Sequence, residues 1–199
     1  MEYIRKDASE FEKLAVLFPI LKRNEKAIIA GGVFKDLFLE RKFRDIDLFF
    51  NSQKDLCNTI NFVKENTGFK MIYENNNATG YFDLNLNWKI DFVQKQFGSP
   101  EEILDSFDFS VSKFCLFKDG CGLKVLFHCC FFEDLTNKNL KFNPKVVNPV
   151  SMLSRALKYS TYGFNLNKSD FLYLISLINL MEYERFRELS MSNFYSYES

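Results

Sequence analysis

The chain has 199 residues, with 26 basic and 26 acidic side chains and a formal net charge of zero. Hydrophobic residues make up 47% and charged residues 26%, a globular balance that excludes a disordered or collagen-like chain. Neutrality argues against holding nucleic acid by bulk charge, although a local basic strip remains open. In chain order, the first expected element is a helix from about Glu10 to Phe18, with Ser9 and Glu12 as a capping box and Pro19 ending or kinking it. A short apolar strand, Ala27 to Ala30, runs into Gly31-Gly32, and a helix from about Val33 to Arg41 follows. A strand, Ile46 to Phe50, leads to Ser52, the N-cap of a helix that reaches about Asn66 before Gly68.

Phe69 to Glu74 reads as a strand, and Asn75-Asn76-Asn77 as a turn. From Tyr81 to Val93 apolar and polar residues alternate, which gives one long strand or a hairpin turning near Asn85 to Asn87. Ser99-Pro100-Glu101-Glu102 is a capping box with proline in the first turn, so a short helix starts there. Asp108 to Phe117 and Leu123 to Phe127 read as a hairpin. Beyond Asn143-Pro144 two helices are expected, about Pro149 to Tyr162 and Ser169 to Leu189. The layout is a mixed α/β head, residues 1–144, followed by a helical neck, residues 145–199.

No apolar segment follows Met1 as a leader would require, and no apolar run reaches the roughly 18 residues of a membrane span. Five cysteines without secretory signals read as reduced thiols, so the expected setting is cytoplasmic, with no membrane partner. The only histidine, His128, adjoins Cys129 and Cys130, which allows a zinc site but lacks a CxxC pair. One histidine also disfavours histidine-based acid–base or nucleophilic chemistry. The 24 phenylalanines supply a large core and leave room for an apolar patch that would seat a protein partner.

The informative stretch is AGGVFKDLFLERKFRDIDLFF, residues 30–50. Asp45 and Asp47 are two apart at a strand start, so both carboxylates leave the same face while Ile46 and Leu48 enter the core. Adjacent carboxylates repel, and a hard divalent cation, Mg²⁺ (or Mn²⁺), is the usual counter-charge; the alternative is a solvated or capping pair. A third carboxylate would complete a site for phosphoryl or nucleotidyl transfer. Asp91, in Ile90-Asp91-Phe92, is the preferred third ligand, with Asp83, which shares its parity along the alternating run, as competitor and Asp108 behind it. Gly31-Gly32 lets the backbone approach a phosphate ahead of a helix.

The order of glycine pair, helix and DxD resembles the nucleotidyltransferases of the DNA polymerase β superfamily. Within it, residues 31–41 are similar to the GGxVRDxLLGR stretch of the tRNA nucleotidyltransferase (CCA-adding) and bacterial poly(A) polymerase family, with Lys35 for the usual Arg and Glu40 for the usual Gly. Asp108 to Ser112, Glu133 to Phe142, and Pro149 to Tyr159 with Gly163-Phe164 resemble later segments of that family. The resemblance implies an α+β nucleotidyltransferase fold, a mixed sheet flanked by helices, with a short C-terminal neck. It implies catalysis and metal binding by Asp45, Asp47 and Asp91, and nucleotide binding by Gly31, Gly32, Lys35, Arg44, Arg155 and Lys158. An acceptor hydroxyl would attack the α-phosphate of an NTP such as ATP at a two-metal centre.

The departures shape the expected acceptor. Ser106 and Phe107 stand where two arginines are usual, and Glu182 to Arg187 is no clean match to the base-reading EDxxR element. The expectation is therefore a minimal nucleotidyltransferase acting on an RNA (tRNA-like) 3′ end. The alternatives are modification of a protein or small molecule in a toxin, antitoxin or defence setting, or a degenerate member that only binds.

Overall fold

In the computed structural model, residues 3–120, 122–143 and 148–181 are described. They fall into two compact units, Met1–Phe107 with Ser112–Phe131, and Asp108–Val111 with the residues from Phe132 on. The second unit takes in more of the chain than the neck expected from residue 145.

The first unit is built on one mixed sheet. Its strands are β1 (Tyr3–Asp7), β2 (Ala27–Ala30), β3 (Asp45–Phe50), β4 (Phe69–Glu74), β5 (Ala78–Asp83), β6 (Trp88–Phe97), β7 (Phe114–Asp119) and β8 (Gly122–His128). They lie side by side in the order β1-β8-β7-β2-β3-β6-β5-β4. Only β3 and β6 run parallel; the other neighbours are antiparallel. All four residues of β2 are buried, as a strand with neighbours on both edges and cover on both faces requires. On β3, buried Ile46 and Leu48 alternate with the partly exposed Asp45 and Asp47.

Helices α1 (Phe18–Arg23), α2 (Gly32–Phe38), α3 (Gln53–Glu65) and α4 (Pro100–Asp105) complete this unit. Ser52 caps α3 by accepting the Asp55 N–H at 3.2 Å, and Ser99 with Glu102 forms the expected capping box on α4. Phe114 anchors an aromatic cluster, with ring centroids 4.6 Å from Phe34, 5.0 Å from Phe131 and 5.2 Å from Phe127. This cluster, buried throughout, is where much of the phenylalanine content goes.

Two expectations are corrected, and one strand is added. The opening helix is two 3₁₀ turns, Ala8–Glu10 and Glu12–Leu17, followed by α1; Asp7 and Glu10 form the capping box, and Pro19 stands in the first turn of α1. Proline has no N–H to lose in a first turn, so it initiates as readily as it terminates. Strand β1 was not foreseen because it pairs with β8 alone and is largely exposed, leaving no hydrophobic alternation to read. Asp108 to Ser112 is not strand: Ser110–Ser112 is a 3₁₀ turn, and β7 begins only at Phe114. Ser110 N–H donates to the Lys141 carbonyl and Asn143 N–H to that of Asp108, which spends the backbone groups a hairpin would use.

The second unit holds β9 (Asn139–Leu140) paired in parallel with β10 (Asn165–Leu166), and helices α6 (Pro149–Ser160) and α7 (Lys168–Asn179). Helix α5 (Phe131–Asn137) begins where the first unit ends. Asn148 caps α6, and Asn167 caps α7. Among the described residues no helix is long and apolar enough to cross a membrane.

Candidate active site

Parallel pairing of β3 with β6 sets Asp47 opposite Asp91, and Asp45 opposite Lys89. Partners in register share a sheet face, so Asp45, Asp47 and Asp91 form one group on one face. Gly80 on β5 lies opposite Asp91, and Tyr73 on β4 lies opposite Gly80, so the row continues to the sheet edge.

The electrostatics of this row are unbalanced. Burial pushes the Asp47 carboxyl up to about 7, and the charges of Asp45 and Asp91 add to the effect. Burial also raises the Asp91 carboxyl, against the pull of Lys89 and the Tyr73 hydroxyl. The Lys89 ammonium lies 3.3 Å from Asp91 Oδ2 and 3.7 Å from Asp45 Oδ2. Asp91 Oδ1 is buried with no hydrogen-bond partner. A buried carboxylate oxygen without a donor is costly, and here it shares a sheet face with the carboxylates of Asp45 and Asp47, all hard oxygen donors. That donor set fits Mg²⁺ or Mn²⁺.

Asp83 is not part of the group. It lies opposite Trp88 in register, on the face away from Asp91, because the hairpin turn resets the parity that had made the two look equivalent. It is buried, accepts Arg23 Nη1 at 2.9 Å, and caps the turn through the N–H groups of Asn85 and Leu86. Asp108 belongs to the second unit, where it pairs with Arg155.

Gly31 closes the site from the β2 side. Its φ of +94° is strained for any residue with a side chain, and a Cβ there would stand 3.5 Å from Asp47 Oδ2. A Cβ on Gly32 would meet nothing within 4 Å, so the chain beside it is open. Lys35, expected to bind nucleotide, is buried with its ammonium paired to Asp36, and does not present an open cation. Arg44 is exposed immediately before Asp45. Arg155 and Lys158 stand on α6 in the second unit; Arg155 is held by Asp108 and by Ser151 Oγ at 2.6 Å, and Lys158 is exposed. The EDxxR-like string, Glu182 to Arg187, lies outside the described residues.

Three residues of the row were not foreseen. Lys89 is the cation nearest two of the carboxylates, and its ammonium sits 5.0 Å from the Tyr73 ring centroid. The Tyr73 hydroxyl lies close enough to Asp91 to feel its charge, and its own ionisation is pushed upward by burial and by that charge. Gly80 makes this reach possible: a Cβ there would fall 2.1 Å from the Tyr73 ring. The visible signal was the KxD spacing of Lys89 and Asp91 on an alternating strand. Nothing local ties Tyr73 to them.

Outside the row, Cys57, Cys115 and Cys129 are free thiols. The possible ligand atoms of His128, Cys129 and Cys130 lie within 4.8 Å of one another.

Comparison with known proteins places this geometry in context. Over nearly the whole chain the fold matches solved CCA-adding enzymes. The Thermotoga maritima CCA-adding enzyme complexed with tRNA is 17% identical with a TM-score of 0.61, covering 95% of this chain and 50% of that one. A CCA-adding enzyme in complex with ATP is 16% identical with a TM-score of 0.65, covering 95% and 51%. At that identity the likeness concerns the fold, which is that of a nucleotidyltransferase. A curated relative, "Gabija anti-defense 2" of Bacillus phage SPbetaL7, is 30% identical over 162 residues, 80% of this chain. The chain spans 38% of that relative's length. The model of the Gabija anti-defense 2 family protein matches residues 2–138, more than half of the chain, and with them β1 to β8 and the whole carboxylate row. The chain belongs to the Gabija anti-defense 2 family.

Proposed function

We propose that this protein is a metal-dependent nucleotidyltransferase that moves a nucleoside monophosphate from an NTP to a hydroxyl of a protein or small molecule belonging to the defence it opposes, breaking the α–β phosphoanhydride bond and releasing pyrophosphate. The observation that carries the reading is the Asp45–Asp47–Asp91 group with its orphaned, buried Oδ1 beside the glycine turn. The anti-defence family favours a defence component as acceptor over an RNA 3′ end.

In this reading Asp45, Asp47 and Asp91 hold Mg²⁺ or Mn²⁺. Bound there, the cation would lower the pKa of the acceptor hydroxyl and neutralise charge on the phosphates. The chain's own groups supply the rest. Gly31 and Gly32 leave room beside Asp47 for the triphosphate. Tyr73, seated over Gly80, places its hydroxyl near Asp91 and supports it from the sheet edge. Lys89 offsets part of the negative charge while the carboxylates await a ligand, which lowers the cost of keeping them close. No protein nucleophile is required, in keeping with the single histidine.

The likeness to CCA-adding enzymes supports a second reading, transfer to an RNA 3′ end. One assay separates the two. Each α-labelled NTP is offered with Mg²⁺ or Mn²⁺, first with cells' protein and small-molecule fractions carrying the defence, then with total RNA. Label in protein or small molecule, lost in Asp45→Ala and Asp47→Ala, is the expected result. Label confined to RNA ends selects the second reading. No transfer from any NTP to any acceptor assigns the chain to binding alone.

A further inference from the structure

A cavity of about 500 Å³ lies beside the carboxylate strands, lined by Lys42, Phe43, Arg44, Phe82, Asn87 and Trp88. It has two cations and no carboxylate in its walls, in a chain whose net charge is zero. Phe43 and Trp88 meet edge to face, with centroids 5.4 Å apart, and both are only partly buried. Rings so arranged leave faces on which a third ring can stack. Arg44 and Lys42 are exposed, and a guanidinium beside aromatic faces suits a phosphate or a stacked base. Asn87, held in the left-handed region at φ 59°, offers an amide that can both donate and accept. The volume falls within the usual range of small-ligand sites, roughly 300–1,000 Å³.

Its position ties it to the site without merging with it. Arg44 directly precedes Asp45, and Trp88 directly precedes Lys89, the register partner of Asp45. Trp88 and Asp91 are three residues apart, about 10 Å along a strand. Alternation sets Trp88 on the sheet face away from Lys89 and Asp91, so the cavity wraps the strand ends.

We infer that this cavity is a binding subsite for a nucleobase carrying a phosphate, supplied by a free nucleotide or by the end of a single strand. Trp88 and Phe43 stack the base, Arg44 and Lys42 take the phosphate, and Asn87 reads a base edge. The inference goes beyond the proposed transfer reaction and does not depend on it, since none of the carboxylates takes part.

Trp88 is the sole tryptophan, so its fluorescence reports the cavity directly. The full chain is titrated in EDTA with AMP, UMP, an eight-nucleotide single-stranded RNA, inorganic phosphate and a poly-glutamate peptide. Expected is quenching by the nucleotides or the strand, weakened about tenfold in Lys42→Ala/Arg44→Ala, as loss of charged hydrogen bonds implies. Tighter binding of the RNA identifies a strand end, and equal binding of the mononucleotides a free nucleotide. The Asp47→Asn variant binds as the parent does, whether or not it transfers label, which separates this subsite from the metal-dependent reading. Absence of quenching by nucleotide and RNA overturns the inference. So do equal quenching by poly-glutamate, equal binding in the folded double variant, and loss of binding in Asp47→Asn.

Discussion

The two ends of the central strands carry similar numbers of charges and treat them in opposite ways. At the Ala27 end of β2 is a cavity of about 480 Å³ lined by Arg5, Glu25, Lys118 and Asp119 among others. There four charges fall into two opposite-sign pairs: Arg5 pairs with Asp119 at 2.6 Å, and Lys118 with Glu25. At the Ala30 end, among the described residues, Asp45 and Asp91 share one lysine, Asp47 stands on the same face without an ion pair of its own, and one buried oxygen of Asp91 has no donor. Both ends carry charged side chains, so the presence of charge does not distinguish them. The unsatisfied electrostatics do, because a folded chain keeps like charges together and a buried acceptor unpaired only at a cost that binding can offset.

The largest effect is expected from removing the unbalanced charge. Asp47→Asn is expected to reduce label transfer by roughly 10²–10³-fold or more, as loss of a principal electrostatic group does. An equivalent loss from Asp119→Ala would show that the contrast between the ends has no catalytic meaning.

The same charge has a stability cost. The Asp47 carboxyl is raised in the folded protein, to about 7 from an ordinary 3.8, so the folded state binds the extra proton between these values. Stability without metal therefore falls as pH rises from about 4 to about 7 and is lowest above that window. In EDTA at pH 8, Asp47→Asn is expected to stabilise the fold by about 1–3 kcal/mol, roughly 2–10 °C in Tm for a chain of this size. Added Mg²⁺ or Mn²⁺ should stabilise the parent and leave the variant nearly unmoved, as thermal melts across pH will show.

Next in size is the support for Asp91. Tyr73→Phe removes the hydroxyl and keeps the ring beneath Lys89, so Mn²⁺ affinity should fall about tenfold with little change in Tm. Gly80→Ala, whose Cβ meets the Tyr73 ring, should lower both affinity and stability, the latter by about 1–3 kcal/mol. Calorimetric Mn²⁺ titration and melts separate the two effects. The smallest effect is expected at the balanced end. Asp119→Ala removes an exposed ion pair, costs less than about 1 kcal/mol, and leaves Mn²⁺ binding unchanged.

Legibility followed the range of the interaction. Asp45 and Asp47 were readable because two-residue alternation on a strand is local, and Gly31-Gly32 because a turn out of a strand is local too. The hairpin at Asn85 to Asn87 was readable as a place to turn, but not its register. Parity counted straight through that turn made Asp83 look equivalent to Asp91, and the register showed them on opposite faces. Lys35 looked like an open cation because it follows the glycines, yet the packing of α2 buries it against Asp36.

The sequence alone determined the strand–glycine turn–helix–DxD order, the capped helices α3 and α4, and the two carboxylates that must share a face. All of these depend on neighbours within a few residues, where propensity and periodicity act. Only the tertiary structure decided that β6 lies parallel beside β3, that Asp91 completes the group, and that Tyr73 reaches it across Gly80. Those choices are made by pairing between strands far apart in the chain, and no local pattern encodes which strand will be the neighbour.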